Sequence, residues 1–238
     1  MGTYVLLEEA KKFNIKRFHH ISTDEVYGDV PVGTSSVETD PVAPRSPYAA
    51  SKASADLLVL SYFTTFNLPI TITRGSNNIG PYQYPEKVIP LFTTNALENL
   101  PLPVYGDGLQ CREYQYVQDH CEAIDLVLHH GVVGEIYNAG AGETLDNLSM
   151  THAVLAAVQK PTSLIRHVQD RAGHDRRYSM IIDKIKALGW TPRHSPLESI
   201  QKTVEWYITH PQWWTNIKQK QDFQSFYQNQ YAHRLANA

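Results

Sequence analysis

Tyr48 and Lys52 stand four residues apart in Tyr48-Ala49-Ala50-Ser51-Lys52. On a helix that spacing puts a phenol and an ammonium on one face. A free phenol titrates at about 10 and is a poor base at neutral pH, but a cation held beside it stabilises the phenolate. Such a pair can move a proton on or off an alcohol oxygen. The same spacing arises by chance on many amphipathic helices, so its surroundings decide its meaning. Thr23-Asp24-Glu25 ends a segment that reads as a strand, and strand ends are where ligands bind in open α/β sheets. Two carboxyls beside a hydroxyl can divide into acid and base when their environments differ. The plainer alternative is a turn with a solvated Glu.

The elements that must position these groups alternate. A helix over Thr3 to Phe13 precedes a strand from Arg17 to Ser22. Ser46 and Pro47 are an N-cap and first-turn proline for a helix running to about Phe66. Asn67-Leu68-Pro69 ends it, and Ile70 to Thr73 is a β-branched strand. This alternation predicts a parallel sheet with helices on its faces. Helices are expected near Glu86 to Glu98, Asp119 to His129, Asn147 to Val158, Ile182 to Leu188 and Pro196 to His210, with Asn147 as a possible cap. Strands are expected near Pro103 to Tyr105, Glu113 to Val117, Glu135 to Asn138 and Leu164 to Val168. The segment 216–238 is rich in Gln, Asn and Lys and is expected to be a loosely packed helix or partly disordered.

Ile21-Ser22-Thr23-Asp24-Glu25-Val26-Tyr27-Gly28 and Ser46-Pro47-Tyr48-Ala49-Ala50-Ser51-Lys52 resemble the extended short-chain dehydrogenase/reductase superfamily, and Thr-Asp-Glu narrows the likeness to its nucleotide-sugar 4,6-dehydratases. The runs Arg74 to Gln83, Pro85-Glu86-Lys87, Pro103 to Gly108 and Arg171 to Tyr178 agree, in one register from Met1 to about Trp214. The resemblance implies an α/β fold: part of a Rossmann-like doubly wound parallel sheet with a smaller C-terminal α/β substrate region. Residues 1–80 would be the C-terminal part of an NAD-binding domain. Residues 81–215 would mainly bind sugar nucleotide, with room for strands returning to the sheet, and 216–238 would be a polar tail.

It also implies roles. Tyr48 would take the proton of the sugar 4-hydroxyl as hydride passes to NAD. Lys52 would lower the Tyr48 pKa and bond the nicotinamide ribose. Thr23 would hydrogen-bond the 4-oxygen, Glu25 would deprotonate C5 and Asp24 would protonate the departing 6-hydroxyl. The hydride would return to C6. Asn77, Lys87, Arg112, Asn147, Arg171, His174 and Tyr178 would hold the nucleotide diphosphate, which needs fixed cations and donors. The expected substrate is dTDP-glucose, although these motifs do not separate thymidine from uridine. A 4-epimerase or decarboxylase would share Tyr48 and Lys52 but needs no acid at C6. A non-catalytic binding remnant is the remaining alternative. A homodimer is implied, through the Pro47 to Phe66 helix and the Thr3 to Phe13 helix.

No Gly-x-x-Gly-x-x-Gly loop is present; Gly140-Ala141-Gly142 is nearest, and it reads as a loop of the substrate region. About 80 to 90 residues of the usual first half are unmatched. The expectation is a truncated chain, inactive or nearly so. Glu113-Tyr114 stands where the family shows Asp and an aromatic residue, and Gly75 where it shows a small or apolar one.

The 238 residues carry 21 basic and 24 acidic side chains, a formal charge of −3, so charge gives no reason to expect nucleic acid or a membrane surface. The 42% hydrophobic content suits a globular core, and no apolar run is long enough for a span. Two cysteines fit a reducing, cytoplasmic setting. His19-His20 and His129-His130 are adjacent pairs and His-Glu-x-x-His is absent, so no metal site is expected.

Overall fold

The computed structural model describes residues 1–236. In chain order the elements are α1 (Gly2–Lys12), β1 (Phe18–Thr23), a 3-10 turn (Asp24–Tyr27), α2 (Pro47–Phe66), β2 (Ile70–Gly75), β3 (Asn77–Ile79), α3 (Val88–Leu97), β4 (Leu102–Tyr105), β5 (Cys111–Arg112) and β6 (Tyr114–Tyr116). They continue with α4 (Val117–His130), β7 (Ile136–Ala139), β8 (Leu145–Asp146), α5 (Asn147–Ala157), β9 (Ile165–Val168), α6 (Asp183–Ala187), α7 (Pro196–Thr209), α8 (Pro211–Lys218), α9 (Gln221–Tyr227) and α10 (His233–Ala236).

The main sheet has the order β1-β2-β7, parallel throughout. Thr23 pairs with Gly75, and Gly75 with Ala139. The three strands therefore end side by side, and their following loops open on one edge. β2 is buried along its whole length, as a central strand covered on both faces must be. Its isoleucines Ile70 and Ile72 join Leu7 of α1 and Val59 of α2 in one apolar cluster. Thr71 and Thr73 point the other way and are bridged by the two ring nitrogens of His19, at 2.9 and 3.1 Å. His20, the next residue, reaches Asp56 of α2 at 3.4 Å. Strand alternation sends the adjacent histidines to opposite faces.

The α2 boundaries follow from local chemistry. Ser46 Oγ accepts from the Ala49 amide at 3.1 Å, Pro47 opens the first turn, and Asn67 closes the helix in the left-handed region at φ 56°. Beneath it lies a polar network. Arg74 Nε donates to Asp56 at 3.0 Å, its guanidinium sits 4.7 Å from the Tyr27 ring, and the Tyr27 hydroxyl donates to Asn138 at 2.7 Å. This network ties β1, β2, β7, α2 and the turn after β1 together behind the sheet edge.

A second core lies under α3, α5 and α7, where Leu91, Leu155, Val204 and Tyr114 are buried. α7 begins with a reciprocal Ser195–Glu198 capping box and Pro196. Two readings change here. Asp146, not Asn147, caps α5, its carboxylate accepting from the Ser149 amide at 2.7 Å. The tail is helical, one of its two expected forms, but it is packed rather than loose: Ile217, Phe223 and Tyr231 are buried in this second core. Short helices and a π-helical turn over Gln228–Ala232 change the direction of the chain, so its apolar residues share a buried side without showing one period in the sequence. Residues 237 and 238 of that segment lie outside the described residues.

Candidate functional site

At the open edge of the main sheet lies a cavity of about 690 Å³ lined by Thr23, Glu25, Tyr48, Lys52, Lys87 and Arg171 among others. A neighbouring cavity of about 360 Å³ is lined by Arg112, Asn147, His174 and Tyr105. The two share Asn77, Lys87 and Arg171. Tyr178 lines the first. All seven residues read as diphosphate holders thus face one of two adjoining spaces. Of the five residues read as catalytic, Asp24 alone lies behind the wall, 3% exposed.

β1 and the turn that follows position the acid pair. Thr23 Oγ1 accepts from the Glu25 amide at 3.3 Å, capping the turn, and its hydroxyl lies 3.1 Å from Asp24 Oδ1, to which it donates. Asp24 Oδ2 is buried with no partner among the described residues. Burial, then the like charges of Glu113 and Glu25, push the Asp24 carboxyl up to about 8. Glu25 is half-buried at the cavity wall. Burial raises its pKa too, but Arg112, Arg171 and Lys87 oppose the rise. Adjacent carboxyls are therefore held in different environments: one favours its proton, the other faces cations.

Tyr48 and Lys52 project from α2 into the same cavity. Lys52 Nζ donates to the Ile21 carbonyl at 2.7 Å. Tyr48 is raised above the ordinary phenol value by burial and by Glu25 and Asp24. The net shift of Tyr48 is upward, because burial and two carboxyls act on the phenol; the lowering that the resemblance assigns to Lys52 is an expectation for the ligand-bound site.

Arg112 is fixed by use: it donates to the carbonyls of Cys111 and Asp175, and its guanidinium stacks 4.2 Å from the Tyr178 ring. Tyr178 in turn donates to Asp175 at 2.6 Å. His174 Nδ1 lies 2.7 Å from Asp170, and Asn147 accepts from the Tyr114 hydroxyl at 2.7 Å. Asn77 Oδ1, Asn78 Oδ1, Gln83 Oε1 and His120 Nδ1 are buried around the first cavity without partners among the described residues. Unpaired buried polar atoms facing a cavity suit a polar ligand.

Several site residues escaped the sequence reading. His120 lines the first cavity, and burial holds it down to about 4. Its signal was Gly75: a Cβ there would sit 2.3 Å from His120 Cε1. Glu113 is wholly buried against Gly140, where a Cβ would meet its Oε2 at 2.3 Å. Gly140-Ala141-Gly142 thus follows β7 and wraps a carboxylate. Phe226, Gln230 and Tyr231 of the C-terminal segment wall the second cavity; no motif marked them.

The parallel sheet, the Tyr48–Lys52 helix and the polar clefts at the strand ends define a Rossmann-type α/β protein with a cleft for a polar, phosphate-bearing ligand. A family model described as GDP-mannose 4,6 dehydratase matches residues 1–203, and the chain belongs to that family. It is 49% identical over 219 residues to a dTDP-glucose 4,6-dehydratase of Streptomyces niveus, covering 92% of this chain and 65% of the relative. The chain thus spans about two thirds the length of that curated relative. The crystal structure of dTDP-glucose 4,6-dehydratase from Bacillus anthracis in complex with NAD superposes with a TM-score of 0.88 at 46% identity, covering 91% of this chain and 70% of that one. A UDP-glucose 4-epimerase of Thermus thermophilus, also with NAD, gives 0.83 at 32%, covering 88% and 69%. No described helix is long and apolar enough to cross a membrane.

Proposed function

We propose that this chain carries the catalytic groups of a dTDP-glucose 4,6-dehydratase, a hydro-lyase that converts dTDP-glucose to dTDP-4-keto-6-deoxyglucose. The observation that carries the reading is the split between Asp24 and Glu25 beside a cavity that also holds Tyr48 and Lys52. An epimerase needs no such acid at C6.

The polar groups around the first cavity fit the ribose end of NAD, with the Tyr48 phenol, the Lys52 ammonium and the unpartnered amide oxygens of Asn77 and Asn78, which would accept from ribose hydroxyls, in one wall. When bound, NAD supplies a hydride acceptor for C4 and a hydride donor for C6. Tyr48 accepts the proton of the 4-hydroxyl, and the Thr23 hydroxyl turns from Asp24 to donate to the 4-oxygen. Oxidation at C4 acidifies the C5 proton, which Glu25 removes. Asp24 delivers its proton to the 6-hydroxyl, which leaves as water. Lys87, Arg112 and Arg171 neutralise the diphosphate, with Asn77, Asn147, His174 and Tyr178 around it.

A homodimer belongs to this reading. Tyr4, Val5 and Leu6 on α1, Phe13 just after it, and Leu57 and Phe66 on α2 are exposed and apolar, and such side chains support a protein contact. A cytoplasmic location is supported by the free cysteines Cys111 and Cys121.

The test is mass detection of the dehydrated product from dTDP-glucose and NAD. Glu25→Gln should slow dehydration at least about 100-fold while sparing C4 oxidation. An unchanged dehydration rate in Glu25→Gln overturns the reading, and no product from the wild-type chain agrees with the expected inactivity and favours the non-catalytic binding remnant.

A further inference from the structure

Gln83 lines the first cavity and has no part in the steps above. It closes a turn that holds a strained residue. The Gln83 amide donates to the Gly80 carbonyl at 3.4 Å across Gly80-Pro81-Tyr82-Gln83. Tyr82, third in that turn, has φ 63°. Turns with Pro second and a positive φ third take Gly or Asn there, because a Cβ crowds the left-handed region. Here an aromatic residue bears the strain. Its ring packs on Trp206 of α7 at 4.7 Å and on Trp213 of α8 at 5.8 Å. The Tyr207 hydroxyl donates to the Gln83 carbonyl. Strained backbone persists where its surroundings over-determine it, and it collects at ligand sites.

What this turn holds is one amide group in one orientation. Gln83 Nε2 donates to the Asn78 carbonyl at 2.8 Å. A backbone carbonyl only accepts, so the amide nitrogen stands on that side and the oxygen on the other. Gln83 Oε1 is buried and has no partner among the described residues. Asn78 repeats the pattern: its Nδ2 donates to the Ser76 carbonyl at 3.3 Å, and its Oδ1 has no partner among the described residues. This wall of the cavity therefore presents acceptors. Acceptors offer nothing to a phosphate oxygen and suit hydroxyl donors. The cations Lys87 and Arg171 stand instead where the two cavities meet.

We propose that Gln83 is a specificity-determining residue whose Oε1 accepts from a hexose hydroxyl that Tyr48 does not use. The inference rests on the reading of the ligand as a nucleotide diphosphate hexose.

The placement follows from the segment that carries both groups. Gln83 and Lys87 are four residues apart, and the Lys87 amide donates to the Tyr84 carbonyl at 3.0 Å, so the segment folds back on itself. Lys87 lines both cavities and Gln83 the first. With a diphosphate at Lys87 and Arg171, the hexose attached to it enters the first cavity beside Gln83. Thr23, Glu25 and Tyr48 line that cavity too. A ring turned toward them keeps further hydroxyls for the acceptor wall. A fixed, buried acceptor discriminates against a ligand without the matching hydroxyl, because it is then left unpaired.

Isothermal titration of the full chain with dTDP-glucose and with dTDP separates a hexose contact from a purely structural role. Gln83→Met keeps the length of the side chain and removes the amide. It should weaken dTDP-glucose binding about 10-fold and dTDP binding less than about 2-fold. An equal effect on both ligands, or none on dTDP-glucose, overturns the proposal. Carbon NMR of the wild-type chain labelled at glutamine needs no variant. The Gln83 side-chain carbonyl should move on adding dTDP-glucose and stay in place with dTDP. A carbonyl that stays in place with dTDP-glucose, moves alike with dTDP, or moves with NAD alone, overturns the proposal; if Gln83→Met does not fold, this measurement decides. A wild-type chain that binds neither dTDP nor dTDP-glucose overturns the functional reading and the proposal with it. One that binds both, with Gln83 unmoved, overturns the proposal alone.

Discussion

The Lys52 ammonium donates to the carbonyl oxygen of Ile21 at 2.7 Å. That bond fastens α2 to the C-terminal end of β1 at the cavity wall. Tyr48, on the same helix, faces carboxyls.

The first prediction concerns that phenol. Labelled-tyrosine NMR should place the Tyr48 midpoint above 10 in the free chain, since burial, Glu25 and Asp24 all raise it. Glu25→Gln should lower the midpoint. A midpoint below 10 in the free wild type would contradict the arrangement.

His120 gives a pH dependence with a definite sign. Burial holds it neutral down to about 4, against 6.5 for a histidine in water. Between those values the unfolded chain binds a proton that the folded chain does not. Its contribution is thus intact above 6.5 and lost as pH falls toward 4, at up to about 1.4 kcal/mol per pH unit. Denaturant unfolding of wild type and His120→Asn at several pH values should show the wild type losing ground to the variant over that window. A constant difference would show that His120 titrates alike in both states.

The C-terminal segment should matter to stability. Tyr231 is buried, its ring 5.3 Å from Tyr227 and 6.2 Å from Tyr105, and Gln230 donates to the Tyr105 hydroxyl at 2.7 Å. Tyr231→Ala should cost about 3 kcal/mol in urea unfolding, the scale of a buried aromatic truncation. A loss below about 0.5 kcal/mol would mark the segment as loosely held.

The sequence by itself determined the alternation of elements, because capping and strand signals are local. Ser46-Pro47 and Asn67 bound α2 within the chain that carries them. It also determined the types of group at the site, since Thr23-Asp24-Glu25 and Tyr48–Lys52 each lie within a few residues. Tertiary structure decided their states. The unequal carboxyls of Asp24 and Glu25 depend on Glu113, Arg112 and Arg171, each more than 80 residues away. The Lys52 partner is a backbone carbonyl of another element, and no side-chain spacing encodes it. The buried face of the C-terminal segment exists only because short helices turn it against α3 and α5. Burial and electric fields sum over everything nearby in space, so they cannot be read from neighbours along the chain.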